Sequence, residues 1–250
     1  MVDIISIVVA VVALLGTLAQ ATLTSWFSLH SEGKKRKDIL RATFSKYHDP
    51  LHLAADDLAV KLTTIIYGST NTNRSYEDPY SVVHTSFVFA QFFAWVNILH
   101  RDTEFLRPHA ASGLAGADVM GLLSQIRLVL RSVYDPWFQI AAGPQFQIAT
   151  GVQSAMGEVA TAPELSDGKG QLCCIGFATF CHKWQTDPEF QTWFDPIVQG
   201  IRDLAGHIDT RDIIDRLLIL QHLLSDLIDV LDPKHIHSSS GGHYEGFRTS

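Results

Sequence analysis

Cysteine is scarce in this sequence and is confined to one short segment. The chain of 250 residues has only three cysteines, and these are Cys173, Cys174 and Cys181. An odd number of cysteines in one segment does not suit the paired disulfide framework of a small secreted protein. Reduced thiols in a cytosolic compartment are the simpler interpretation.

Positive charge is also scarce, apart from one cluster. Lys and Arg number 19 against 26 Asp and Glu, so the net charge is −7. An acidic chain argues against nucleic acid as a partner, because proteins bind the phosphate backbone mainly through Lys and Arg. The one basic cluster consists of Lys34, Lys35, Arg36 and Lys37. It follows an apolar run, which favours contact with lipid headgroups.

The motifs of the common catalytic classes are missing. The sequence has no GxSxG elbow, no GxxxxGK[ST] phosphate loop, no HExxH pair and no GxGxxG turn. We therefore expect a non-enzymatic function, with no cofactor.

Two groups of residues have the side-chain types of metal ligands, and their spacing decides whether they could form a site. His48, His52 and Asp56 are four apart, which is ligand spacing if one helix carries all three. Pro50 is expected to start that helix, however, and this would leave His48 outside it. The cysteines lack the paired CxxC spacing of a zinc site. We expect a solvated helix start and buried thiols instead, with no metal.

The N-terminal run has the properties of a membrane anchor. Residues Ile4 to Ser31 include no Asp, Glu, Lys or Arg, and a helix needs about 20 apolar residues to cross a membrane. Trp26 and Phe27 lie where an interfacial aromatic belt is expected. We predict a single transmembrane helix within residues 1–31.

Two alternatives remain for this run, a cleaved signal peptide and a buried core helix. The segment Ala19 to Ala21 resembles a small-x-small cleavage site, but the positive charges follow the apolar run instead of preceding it. The same charges predict, by the positive-inside rule, that the C-terminal body is cytoplasmic.

Small and polar residues share one side of the predicted anchor. At helical spacing this stripe consists of Ala10, Ala13, Thr17, Gln20, Ala21, Thr24 and Ser28. Small residues let membrane helices approach closely, and Gln or Thr side chains can hydrogen-bond between them. The stripe favours a homo-oligomer or a membrane protein partner, although small residues are also common in membrane helices in general.

The body after the basic cluster has apolar residues at spacings of three and four, which predicts an all-α, multi-helix bundle. We assign residues 32–233 to one helical domain and residues 234–250, rich in Ser, Gly and His, to a disordered tail. The predicted helices cover Pro50 to Ile66, Val82 to Leu106, Ala117 to Tyr134, Gln145 to Ala160, Gln171 to Gln185, Glu189 to Ala205 and Arg211 to Leu231. A strand within Leu172 to Phe180 is an alternative to helix there.

The segment from Val82 to Leu106 is the most hydrophobic part of the body. Ser81 to Leu99 has no formal charge and could form a second membrane span, but polar residues interrupt it, so we predict a core helix. Polar residues of this helix and a later one, if buried, need partners and would either fix helix register or line a pocket. This candidate buried polar network consists of Gln91, Asn97, His100, Glu104 and Glu158.

Four phrases of the sequence resemble an uncharacterised family of helical proteins. They are KYHDPLHLAADDLAVKL, AQFFAWVNILHRDTEFL, GPQFQIATGVQSAMGEV and LLILQHLLSDLIDVLDP. The matching positions are Gln91, Trp95, Val96, Ile98 and Arg101 in the second phrase, and Gly151, Gln153, Gly157 and Glu158 in the third. Thr150 and Val152 depart from the family pattern. The resemblance covers about Lys46 to Pro233; it implies a helical fold and supplies no catalytic residues.

These observations predict a single-pass membrane protein with a cytoplasmic helical domain, acting as a scaffold or adaptor that associates with itself through the anchor. One alternative is a membrane-perturbing or pore-forming effector whose anchors assemble. Another is a membrane-bound enzyme with a pocket inside the bundle.

Overall fold

The computed structural model describes residue 20 and residues 45–67, 78–103, 115–132, 146–163, 171–205 and 211–233. Within these ranges the chain is mostly helical, as the apolar spacing predicts. The basic cluster, the tail 234–250 and all of the predicted anchor except Gln20 lie outside the described residues.

Eight helices and one small antiparallel sheet make up the described body. Helix α1 covers residues 45–67. The other helices are α2 (Pro79–Thr103), α3 (Ala115–Arg131), α4 (Thr150–Val159), α5 (Phe177–Thr186), α6 (Pro188–Thr192), α7 (Asp195–Ala205) and α8 (Arg211–Leu231). The strands are β1 (Thr161–Pro163) and β2 (Leu172–Cys174).

Helix α1 does not begin at Pro50, so that prediction is wrong. Residues 45–49 are already helical, and contacts with distant elements hold them. The buried Tyr47 hydroxyl donates to the Asp102 carboxylate on α2, and the His48 ring contacts the Leu231 carbonyl at the end of α8. Such tertiary contacts stabilise a helical turn against the local preference of a proline.

Helix α2 is the central helix of the described body. Its side chains Phe89, Phe92, Phe93 and Leu99 are fully buried, and it packs against α4, β2, α5 and α7. Within the described ranges it is also the one helix long and apolar enough to span a membrane. Its packing explains that composition, because a helix surrounded by protein is apolar on most of its sides.

Helix α4 approaches α2 closely at Gly157. A Cβ atom added at this glycine would lie 2.5 Å from the Phe93 carbonyl oxygen and 3.2 Å from the Asn97 Cβ. Any side chain at position 157 would therefore force the two helices apart.

The predicted helix Gln171 to Gln185 is partly wrong, because its first residues form strand β2. This strand pairs with β1 in antiparallel register, with Thr161 opposite Cys174 and Pro163 opposite Leu172. The strand pairing supplies the backbone hydrogen bonds that a helix would otherwise supply. The predicted helix Glu189 to Ala205 is also divided, into α6 and α7, by a turn at residues 193 and 194.

Hydrogen-bond donors from other elements cap the C-terminal end of α3. Arg216, fully buried on α8, donates from Nη1 to the Val129 carbonyl at 2.6 Å. Gln153 Nε2 donates to the Arg127 carbonyl at 3.1 Å, and the Ile148 backbone N–H donates to the Leu130 carbonyl at 2.7 Å. The last carbonyls of a helix have no partner within the helix and form its negative end, so these donors, one of them cationic, stabilise it.

Candidate interaction surface

Helix α1 has one buried face and one exposed face. The buried face includes Leu51, Leu58 and Leu62, as the helical spacing of the sequence predicts. The outer face carries Leu53, Val60 and Tyr67, which are 57%, 49% and 42% exposed. We call these three residues the α1 stripe.

The members of the α1 stripe are seven residues apart. Two turns of an α-helix return a side chain to nearly the same direction, with a drift of about 20° for every seven residues. Leu53, Val60 and Tyr67 therefore lie almost in one line along α1, as apolar residues do in helices that pair along their length.

Both flanks of the α1 stripe are fixed to the body. On one side, the Thr63 hydroxyl accepts a hydrogen bond from Gln221 Nε2 of α8 at 2.6 Å. On the other side, the Asp57 carboxylate is hydrogen-bonded to the side chain of Gln91 on α2. The stripe is therefore presented on a helix that is held on both sides.

Two charged groups along one flank of the stripe have shifted pKa values. Burial, and then the neighbouring charge of Asp56, raises the pKa of Asp57, while the Gln91 hydrogen bond and His84 act in the opposite direction. Burial lowers the pKa of Lys61. Among the described residues no ion pair joins Asp57 to Lys61. Both charges would gain from an opposite charge brought by a partner.

His84 of α2 lies beside these groups. Its pKa is lowered by burial and by the charge of Lys61, and the charge of Asp57 opposes this shift. Its ring stacks on Tyr80, with 6.2 Å between centroids, and meets the edge of Phe177 from α5 at 5.6 Å. Tyr80 is 64% exposed, so an aromatic group borders the charged flank.

The described members of the candidate buried polar network face different parts of the structure. Gln91 faces α1, whereas Asn97 lies where α4 approaches α2. Glu158 is exposed, so it does not belong to a buried network. The reason is the packing of α4 through Gly157, which turns the following side chain away from α2. His100 is partly buried on α2, and Glu104 lies outside the described residues.

The anchor stripe and the basic cluster are almost wholly outside the described residues. Of the anchor stripe only Gln20 is described, and it is helical and exposed. The lipid contact of Lys34, Lys35, Arg36 and Lys37 stays a prediction.

The His48, His52 and Asp56 group has ligand spacing in the sequence, and the structure shows how these residues are placed. His48, His52 and Asp56 all lie on α1, where His52 is buried and His48 contacts the Asp49 carboxylate at 2.7 Å. In the part of the chain that the structure describes, no group of three or more His, Cys, Asp or Glu side chains could hold a metal ion.

The cysteines are divided between two elements. Cys173 and Cys174 lie on β2, whereas Cys181 lies on α5. All three are partly buried. Burial, with a smaller effect of Cys173, raises the pKa of Cys174 to about 12.

Sequence reasoning missed the α1 stripe because it followed only the residues that form the buried face of α1. The signal was present as three large apolar residues at a spacing of seven, all off that face.

No family model, no curated protein and no solved structure matches this chain. The resemblance to an uncharacterised helical family therefore rests on the four sequence phrases alone.

Proposed function

We propose that this protein is a membrane-anchored helical scaffold or adaptor that associates with itself. A single transmembrane helix within residues 1–31 holds it in the bilayer, and the helical body is cytoplasmic. The observation that carries the proposal is the α1 stripe, an aligned row of exposed apolar side chains on the first described helix of the body.

The exposure of the α1 stripe favours a protein partner over a purely structural role. Burying a Leu, Val or aromatic side chain is worth roughly 1.5–3 kcal/mol, and single exposed apolar residues are common on protein surfaces. Three in a line on one helix are less common and suit helix-to-helix recognition. The core beneath α1 is already formed by other residues, so these three are available for a partner.

The position of α1 in the chain supports a link between this surface and the membrane. The described part of α1 begins at residue 45, so seven residues separate it from Lys37. An extended segment of that length spans at most about 29 Å, counted from Lys37 to residue 45. With the basic cluster at the headgroups, the start of α1 stays near the bilayer, where anchored copies meet.

Membrane insertion is the first test of this proposal. The full-length chain, produced with bacterial or microsomal membranes, should remain in the membrane pellet after alkaline carbonate extraction. A protease added to the cytoplasmic side should digest the body. Release of the full-length chain by carbonate would contradict the anchor.

Replacing the four basic residues with Gln keeps the apolar run and provides a matched control. This variant should still insert but in mixed orientation, because the positive charges direct topology. Dye leakage from liposomes containing the wild-type chain would support the membrane-perturbing alternative instead of the scaffold.

A further inference from the structure

We propose that the α1 stripe forms a two-fold symmetric, antiparallel contact with the α1 stripe of a second copy of this chain. The inference rests on the proposed function, because it identifies the partner of the proposed scaffold surface.

The spacing of the stripe makes it complementary to itself when the two helices run in opposite directions. Val60 lies seven residues from both Leu53 and Tyr67. A two-fold axis at Val60 therefore sets Val60 against Val60 and each Leu53 against the Tyr67 of the other copy. The same patch serves on both copies, as an isologous contact requires.

Charge selects this antiparallel arrangement over a parallel one. Asp57 and Lys61 are four residues apart on the same flank of the stripe. In a parallel pair, opposite flanks of the stripe meet, so Asp57 of one copy would lie near the like-charged Asp56 of the other copy. In the antiparallel pair, equivalent flanks meet with the direction reversed. Asp57 of one copy then lies beside Lys61 of the other, with an axial offset of about 3 Å.

Two such ion pairs form per dimer. In the single chain, neither Asp57 nor Lys61 has an ion-pair partner among the described residues. The pKa of Asp57 is raised and that of Lys61 is lowered, so an opposite charge from the second copy would favour the charged form of each. Asp56 lies on the opposite flank, and its two copies would be about 12 Å apart along the axis, where mutual repulsion is weak.

Symmetry gives this contact a defined orientation on a membrane. The two-fold axis is perpendicular to α1. When both anchors enter the same bilayer, the axis is along the membrane normal and α1 lies parallel to the surface. The short connection between Lys37 and α1 permits this arrangement.

Cysteine cross-linking of the full-length chain in detergent or liposomes tests the register directly. Val60→Cys lies on the axis and should form a disulfide-linked dimer under mild oxidation. Leu53→Cys should not cross-link with itself, since the two copies of residue 53 are roughly 21 Å apart. A mixture of Leu53→Cys and Tyr67→Cys chains should give the mixed dimer.

Two proteins serve as controls for non-specific cross-linking. The wild-type chain measures cross-linking through Cys173, Cys174 and Cys181, and Gln125→Cys on α3 measures random collisions at an exposed helical site. Self-linking of Leu53→Cys equal to that of Val60→Cys would indicate a parallel pair and overturn the proposal. So would a Val60→Cys yield no higher than that of Gln125→Cys.

The charge pairing has a separate test in the Val60→Cys chain. Asp57→Lys should lower the rate of dimer formation about tenfold, and adding Lys61→Asp should restore it, because the reversed pair is again complementary. If the double variant stays as slow as the single one, the proposed ion pairs do not form.

Failure of this inference can be separated from failure of the proposed function. If Val60→Cys does not cross-link but the protein still inserts in membranes as an oligomer, the scaffold proposal stands and α1 binds a different partner. If Val60→Cys cross-links although carbonate releases the chain, the α1 contact stands and the anchor does not.

Discussion

At the scale of single residues, Gly157 determines how closely α4 packs on α2. Gly157→Ala would place a methyl group within 2.5 Å of the Phe93 carbonyl oxygen, and a backbone atom cannot move aside as a side chain can. We expect a loss of about 2 kcal/mol in the free energy of unfolding, typical of overpacking in a core. Denaturant unfolding followed by circular dichroism measures it.

Gly151 provides the matched control on the same helix. A Cβ added there meets nothing within 4 Å, so Gly151→Ala should be neutral or stabilising by up to about 1 kcal/mol through helix propensity. Equal destabilisation by both substitutions would show that α4 does not pack through Gly157.

Cys174 gives a second prediction at this scale. With its pKa raised to about 12 from the ordinary 9.0, its thiolate fraction at pH 8 is roughly 1000-fold smaller in the folded chain than in the unfolded one. Since the thiolate is the reactive form, iodoacetamide should label Cys174 slowly in the native protein and rapidly in urea. Fragment-ion mass spectrometry assigns the label to each cysteine. Equally fast labelling in both states would contradict burial of this thiol.

At the scale of elements, local periodicity predicted the helices well where one face is buried. The bounds of α8 agree with the prediction Arg211 to Leu231, and the buried face of α1 was predicted correctly. Prediction failed where distant contacts decide the structure. Strand β2 exists because β1 pairs with it, and α1 extends before Pro50 because α2 and the end of α8 hold its first turn.

Arg216 shows what a sequence pattern cannot reveal about an element. The amphipathic pattern of α8 predicts that Arg216 is exposed to solvent. In the structure it is fully buried against the end of α3. Only the folded arrangement of α3 and α8 brings its guanidinium to the Val129 carbonyl.

Arg216→Met should therefore destabilise the body by about 3 kcal/mol. The substitution keeps most of the side-chain volume but removes charge-assisted hydrogen bonds, leaving buried carbonyls of α3 without a donor. Arg211→Met is the control, because Arg211 is exposed on the same helix and its replacement should change stability by less than about 0.5 kcal/mol. A difference below that size between the two variants in thermal unfolding would contradict the capping role of Arg216.

At the scale of the whole molecule, the helical class was predicted from the sequence and the candidate surface was not. A buried helix face gives a strong periodic pattern of apolar residues in the sequence. An exposed apolar stripe has the same kind of pattern at a different angle around the helix, so the sequence does not distinguish it as a surface. The described members of the candidate polar network face different helices for a related reason, since helix spacing says which residues share a helix face but not which helix that face meets. The anchor and the single domain over residues 32–233 stay predictions.

Self-association on a membrane is the central claim, and the mass of the full-length protein in detergent tests it most directly. Light scattering corrected for bound detergent should give a defined oligomer for the wild-type chain. Replacing Ala13, Thr17 and Ala21 of the anchor stripe with Leu should reduce the oligomer, because larger side chains keep the anchors apart. Adding Val60→Lys should reduce it to a monomer, since this places like charges on the two-fold axis of the α1 contact. A wild-type chain that is monomeric at every concentration, or an oligomer unchanged by all four substitutions, would contradict the claim.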